Sequence, residues 1–246
     1  IRKRLYARGI YGRKITIVAA DPLAYQFPPF LASLVVSETP GRFSSKTSIG
    51  ALPNLYRALR PYGGTICMAI ETPARFVWTQ FVAQTKSAEM KDLGDWLVLA
   101  REGALQGAAD WSHAGGNAGN TGSSDDRFLR GQMALLWYDG SIRWNRQPGK
   151  TEVRVAGGRI FVRADRMLAI DVFTGRRLWD RPLIQAAGAG QVGEFVAVED
   201  SIYVAAGRAC LVLDAATGEE RASYPMPKEL KGWLVQVRLW QDYVIG

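Results

Sequence analysis

Four stretches of this chain carry side chains able to do chemistry. Asp21 closes the apolar run Ile15-Thr-Ile-Val-Ala-Ala20, which puts a carboxylate acceptor at the carboxyl end of an expected strand, where α/β sheets hold ligands. A plain Asp-Pro turn accounts for it equally well. Glu38 follows a second apolar run, Leu31 to Ser37, in the place of an acid or base at a sheet edge, or simply of a solvated edge carboxylate. His113, the only histidine, sits in Asp110-Trp-Ser-His113 and offers a base beside an acid. Its Gly/Asn/Ser-rich surroundings point instead to a linker residue that docks one unit on another. Asn117, Asn120, Ser123, Ser124, Asp125 and Asp126 present hard oxygens suited to calcium. Their spacing departs from D-x-[DN]-x-[DN]-G-x(5)-E, so a turn-rich linker is the simpler reading.

Other chemistries are excluded by what is missing. Cys67 and Cys210 are the only cysteines, too few for a disulfide framework and, with one histidine, too few for a Cys/His zinc cluster. The motifs G-x-S-x-G, G-x-x-x-x-G-K-[ST] and G-x-G-x-x-G do not occur. With 48 % hydrophobic and 22 % charged residues over 246 positions, the chain is globular rather than disordered or coiled-coil. No uninterrupted apolar window of membrane-spanning length and no signal peptide are visible. The net charge is +8, and Arg2, Lys3, Arg4, Arg8, Arg13 and Lys14 crowd the first fourteen residues. This reads as a solvated basic helix face rather than a phosphate-binding surface, and nucleic acid is not favoured as a partner. Without an initiator Met, the sequence is expected to be an excerpt of a longer polypeptide.

The elements that must position these residues change in kind near residue 110. From 1 to 107 strand and helix alternate. Strands are expected at 15–20, 31–37, 65–70 and 96–100, with helices over 49–59 and from Pro73 to about Met90, the arithmetic of a βαβ sheet. From about 111 short β-runs and turns take over with a measurable period. Ile160 and Ile202 stand 42 positions apart, as do Trp137 and Trp179, and the turn Asp171-Val-Phe-Thr-Gly175 recurs 43 positions on as Asp214-Ala-Ala-Thr-Gly218. A third copy begins at Gln241. Four short strands in about 40 to 45 residues are the signature of a propeller blade, whose faces are buried only by neighbouring blades. Two units and a beginning cannot close a ring, so the chain is expected to continue past Gly246. Trp137, Trp144 and Trp179 could floor a stacked ligand, but at outer-strand positions they are more economically blade-packing residues.

The D-x-x-T-G-x-x-L-W unit, present as Asp171 to Trp179 and more loosely as Asp214 to Ala222, resembles the pyrroloquinoline-quinone (PQQ)-like propeller repeat. That repeat also occurs in quinoprotein dehydrogenases and an outer-membrane assembly lipoprotein, so it implies a fold rather than an activity. The first half resembles the carboxyl-terminal part of a class I S-adenosylmethionine (SAM) methyltransferase domain. Ala20-Asp21, Leu34-Val-Val-Ser37 and Leu55-Tyr-Arg-Ala-Leu-Arg-Pro-Tyr-Gly-Gly-Thr-Ile66 carry the likeness. Tyr62 interrupts the family's Pro-Gly-Gly turn, and the Gly-rich loop would precede Ile1. The combination resembles large planctomycete-type fusions of a methyltransferase-like domain with a PQQ-like propeller.

The fold class implied is an N-terminally truncated, Rossmann-like α/β domain over 1–107, a linker over 108–130, and an incomplete all-β propeller over 131–246. The function implied is a non-catalytic binding or assembly scaffold. The alternatives are a SAM-dependent methyltransferase completed upstream and, less favoured, a quinoprotein oxidoreductase. No catalytic residue and no metal ligand is assigned. Ala20, Asp21 and Glu38 are the contacts implied if SAM binds, and Trp137, Asp171, Gly175, Trp179, Asp214 and Gly218 are the structural repeat positions. No cofactor is expected in this stretch, and PQQ is disfavoured because two blades cannot complete its site. Protein partners or the remainder of the same chain, and an extracytoplasmic location in periplasm or cell envelope, follow from the resemblance, whereas an active methyltransferase would imply a cytoplasmic one.

Overall fold

The computed structural model describes residues 1–12, 14–37, 45–127, 135–138, 151–164, 166–182 and 192–246. Glu38 and Trp144 lie outside the described residues. A short helix, α1 (Arg2–Ala7), opens the chain. Strand β1 (Leu34–Ser37), helix α2 (Ser45–Ala58) and strand β2 (Gly64–Ala69) then form a parallel crossover in which Leu34 lies beside Thr65 and Ser37 beside Met68. Helix α3 (Thr72–Gln84) is followed by a hairpin of β3 (Ala88–Leu93) and β4 (Trp96–Arg101). The sheet order is β1-β2-β4-β3, with β4 antiparallel to both of its neighbours.

Period-2 patterning builds the core of this unit. Ile66 and Met68 of β2 stand opposite Leu99 and Leu97 of β4, and all four are buried. Leu52, Leu55 and Leu59 on one stripe of the α2 region and Ala74 and Trp78 of α3 close over them. Two expectations fail here. The run Ile15–Ala20 is not a strand: β1 is the edge of its sheet among the described residues, no ladder reaches 16–20, and Val18 is 56 % exposed. An apolar run becomes a strand only where a neighbour takes its backbone bonds. The helix expected to reach Met90 stops at Gln84, because Ala88 and Met90 bury on alternate positions of β3 and Gly94, at φ +79°, turns the chain into β4.

The second half is antiparallel. One four-stranded meander runs β5 (Glu152–Ala156), β6 (Arg159–Arg163), β7 (Arg166–Asp171), β8 (Arg177–Pro182). The next runs β9 (Val192–Ala197), β10 (Ser201–Ala206), β11 (Ala209–Asp214), β12 (Glu220–Pro225). The pair β13 (Arg238–Trp240) and β14 (Tyr243–Ile245) begins a third. Register breaks at Ala169/Ile170 in one sheet and Val212/Leu213 in the other, one repeat apart. The first strands β5, β9 and β13 approach one another, which places them on the inner side of the arc. Phe161, Met167 and Trp179 of the first sheet interlock with Phe195, Ile202 and Val204 of the second, so each blade buries its face only against the next.

A candidate interaction site where the two units meet

The hairpin turn closing β7 and β8 is organised by one carboxylate. Asp171 Oδ1 accepts hydrogen bonds from the Phe173 and Thr174 amides and from Thr174 Oγ1, at 2.9 to 3.0 Å. Gly175 then takes φ +68°, open to glycine at little cost. One repeat later Asp214 Oδ1 accepts the Ala216 and Thr217 amides, and Gly218 sits at φ +72°. A tryptophan from the preceding repeat lies over each of these glycines. A Cβ on Gly175 would meet the Trp137 ring at 2.5 Å, and one on Gly218 would meet the Trp179 ring at 2.7 Å. Their indole N–H groups donate to Val172 and Ala215 carbonyls. Trp179 is buried, so its ring serves as an inter-blade clasp.

The two aspartates differ in their second partner. Asp214 pairs with Arg221 of its own blade, whereas Asp171, 2 % exposed, pairs at 3.0 Å with Arg60 from the α/β unit. The position one repeat before Arg221 holds Leu178, which cannot supply a charge. Tyr62 lies on the turn between β5 and β6: a Cβ on Gly158 would come within 2.5 Å of its ring. Burial pushes the Tyr62 hydroxyl up to about 12, with Asp110 and Glu199 adding to the shift. Phe30 meets Phe173 edge-on at 5.5 Å, and the Arg101 guanidinium lies over the Phe30 ring, 5.2 Å from its centroid. Phe30 and Tyr62 both hold positive φ, +62° and +57°. A bulky side chain in that region stores strain that surrounding packing must sustain. Beside this contact an open cleft of about 360 Å³ separates the units, edged by Tyr62, Glu102, Arg159, Glu199 and Arg221.

The segment after the α/β unit is woven into the blades. Trp111 exchanges both backbone hydrogen bonds with Val155, and the Ala197 amide donates to Ser112 O. The Leu239 amide donates to His113 Nε2 at 3.1 Å. Val155, Ala197 and Leu239 are spaced 42 apart, so one tripeptide contacts the same position of three successive inner strands. Since Nε2 accepts, the proton of neutral His113 is on Nδ1, facing Ser112 Oγ at 2.8 Å; Ser112 Oγ in turn reaches Gly116 O. Burial lowers the His113 pKa, and Arg238 and Arg154 lower it further. Asp110 moves the other way: burial raises its pKa and Glu199 adds to this, while the Gly157 amide opposes.

The residues singled out from sequence are therefore scattered. Ala20 and Asp21 are exposed, and Asp21 Oδ1 accepts the Leu23 amide to cap a local turn away from any strand end. His113 is buried in the blades. In the polar run, Asn120 Oδ1 accepts the Gly115 amide and Asn117 Nδ2 donates to Thr121 Oγ1. Among the described residues no group of three His, Cys, Asp or Glu side chains is placed to hold a metal ion, and no helix is long and apolar enough to cross a membrane. Sequence reasoning missed Arg60, Phe30 and Tyr62. The one signal was Tyr62 itself, a bulky residue where a Pro-Gly-Gly turn was the pattern.

Residues 77–233 match the family described as outer membrane protein assembly factor BamB. A comparison with curated proteins finds no match. Among solved structures, the chain is similar to the quinohemoprotein alcohol dehydrogenase ADHIIG from Pseudomonas putida, at 18 % identity and a TM-score of 0.32, over 37 % of this chain and 15 % of that one. It is similar also to BamB from Moraxella catarrhalis, at 13 % identity and a TM-score of 0.29, over 37 % of this chain and 31 % of that one. The chain thus spans less than a third of either structure's length.

Proposed function

The chain belongs to the BamB family of PQQ-like propeller repeats, and from that premise we propose that it is a non-catalytic scaffold, an α/β platform docked on blades that present a surface to protein partners. The observation that carries this is the use made of its chemistry-bearing groups. The only imidazole spends both ring nitrogens on Ser112 and Leu239, and Asp171 spends its carboxylate on a turn and on Arg60. An extracytoplasmic setting, in periplasm or cell envelope, goes with this reading, as does assembly with other proteins.

A methyltransferase-like origin of the α/β unit is part of the proposal. Its support is the parallel β1–α2–β2 crossover, with the Leu55-to-Ile66 element spanning the end of α2 and the start of β2. Asp21 in an exposed turn argues for a unit kept as a platform rather than as an enzyme. The discriminating experiment is titration calorimetry of the full chain with SAM. No saturable heat at high micromolar ligand is expected. A micromolar dissociation constant would replace the scaffold reading with the methyltransferase one.

A further inference from the structure

We propose that residues 1–12 and 14–18 form a docking surface for an anionic lipid bilayer. Residues 1–20 contain six Lys and Arg and no Asp or Glu, so most of the net charge of +8 is concentrated in this one segment. It is folded into a compact knot. The Ile10 and Tyr11 amides both donate to Leu5 O, the Lys14 and Ile15 amides donate to Ile10 O, and Gly12 donates back to Ile15 O. Arg2, Lys3, Arg4, Arg8 and Lys14 are all exposed. None of these five meets a carboxylate or a side-chain hydrogen-bond acceptor among the described residues. Elsewhere in the chain, exposed arginines such as Arg166, Arg177 and Arg181 are each paired with an acid.

Exposed apolar groups share the same segment. Ile1 is 89 % and Tyr6 76 % exposed, and Ile15, bridged to Tyr11, and Val18, three residues on, are 42 % and 56 % exposed. A shallow hollow of about 320 Å³ between α1 and the turn is lined by Arg2, Lys3, Tyr6, Ala7 and Tyr11. Unpaired cations together with exposed aliphatic and tyrosyl side chains in one segment complement a negatively charged interface: the cations meet headgroup phosphates while the apolar groups enter the boundary below them. The aliphatic members decide against nucleic acid. Ile1, Ile15 and Val18 have no π-face on which bases could stack, whereas tyrosine beside aliphatic groups is the composition that settles at a bilayer interface. This inference is independent of the family assignment, since it uses residues outside the matched region.

The test is co-sedimentation of the full chain with vesicles of phosphatidylcholine alone or with about a third phosphatidylglycerol. Binding is expected to the anionic vesicles only, and to disappear at about 1 M salt, where the Debye length shrinks to about 3 Å. The triple variant Arg2→Gln, Lys3→Gln, Arg4→Gln is expected to weaken binding about a hundredfold, from the usual contribution of each basic residue near such a surface. Its melting temperature should not change, because these side chains hold nothing in the fold. Ile15→Ser with Val18→Ser should weaken binding severalfold at constant charge. Equal binding to neutral vesicles, full affinity in the triple variant, or displacement from vesicles by a short DNA or RNA oligonucleotide would each overturn the proposal.

Discussion

Lowering the pH should loosen the third blade through His113. Its neutral form is built into the structure: Nε2 must stay unprotonated to accept the Leu239 amide, and two guanidinium groups, Arg238 and Arg154, disfavour a positive charge there in addition to burial. The folded pKa is thus below the unfolded value of about 6.5. Above pH ~6.5 both states are neutral and the histidine leaves stability unaffected by pH. As pH falls below that, the unfolded chain binds the proton first and stability declines by up to about 1.4 kcal/mol per pH unit, levelling off once the folded histidine also titrates. Asp110 has the opposite sign, because its folded pKa is raised, so it gains relative stability toward low pH and would mask the effect in a single curve. The comparison that isolates His113 is urea unfolding of wild type and His113→Gln between pH 7.5 and 5, since glutamine keeps an acceptor and cannot titrate. The difference between the two curves should grow as pH falls, and nitrogen NMR should show the Nδ1–H tautomer at pH 7.5. Parallel curves, or an Nε2–H tautomer, would refute the hydrogen-bond assignment.

Trp179→Ala should cost about 3 to 5 kcal/mol in urea unfolding, because it empties the inter-blade space over Gly218; a loss below about 1 kcal/mol would mean that the ring is not a clasp. Arg60→Leu should cost about 1 to 3 kcal/mol, the penalty for leaving Asp171 Oδ2 buried without a partner, and less than the full price of an isolated buried charge because Oδ1 keeps its three turn bonds. The equivalent change at Arg221, on an exposed pair, should cost far less. Cys67 should react with a thiol reagent in the native protein and Cys210 should not, since burial pushes the Cys210 thiol up to about 11; equal labelling rates would contradict the packing of β11.

The repeat was legible because it is written in local chemistry. Asp171, Gly175, Asp214 and Gly218 act within their own turns, and Trp137 and Trp179 act one repeat away, so spacing alone aligned them. Strands β2 and β4 were legible for a similar reason: each buries alternate residues whatever its neighbour. The run Ile15–Ala20 misled because apolar composition describes a strand's side chains and says nothing about whether a partner will take its amides. Strand β3 was hidden because Phe81 and Ala88, seven apart, continue a helical spacing, while only Ala88 and Met90 alternate as in a strand, and Gly94 alone marks the turn.

The contact between the units was the least legible part, and its construction explains why. Arg60 replaces an arginine that the first blade lacks at Leu178, so its partner is defined by a comparison between two repeats and a third, distant segment. Tyr62 and Phe30 occupy backbone conformations that side chains of their size avoid, each at a cost of about 1 to 3 kcal/mol. That cost persists only if the contacts with Gly158 and Phe173 return more than it takes. A free α/β domain would have no reason to keep Tyr62 in place of a glycine or Phe30 at φ +62°. The strain therefore belongs to the interface: the α/β unit is shaped to be held against the blade, as the proposed scaffold would require.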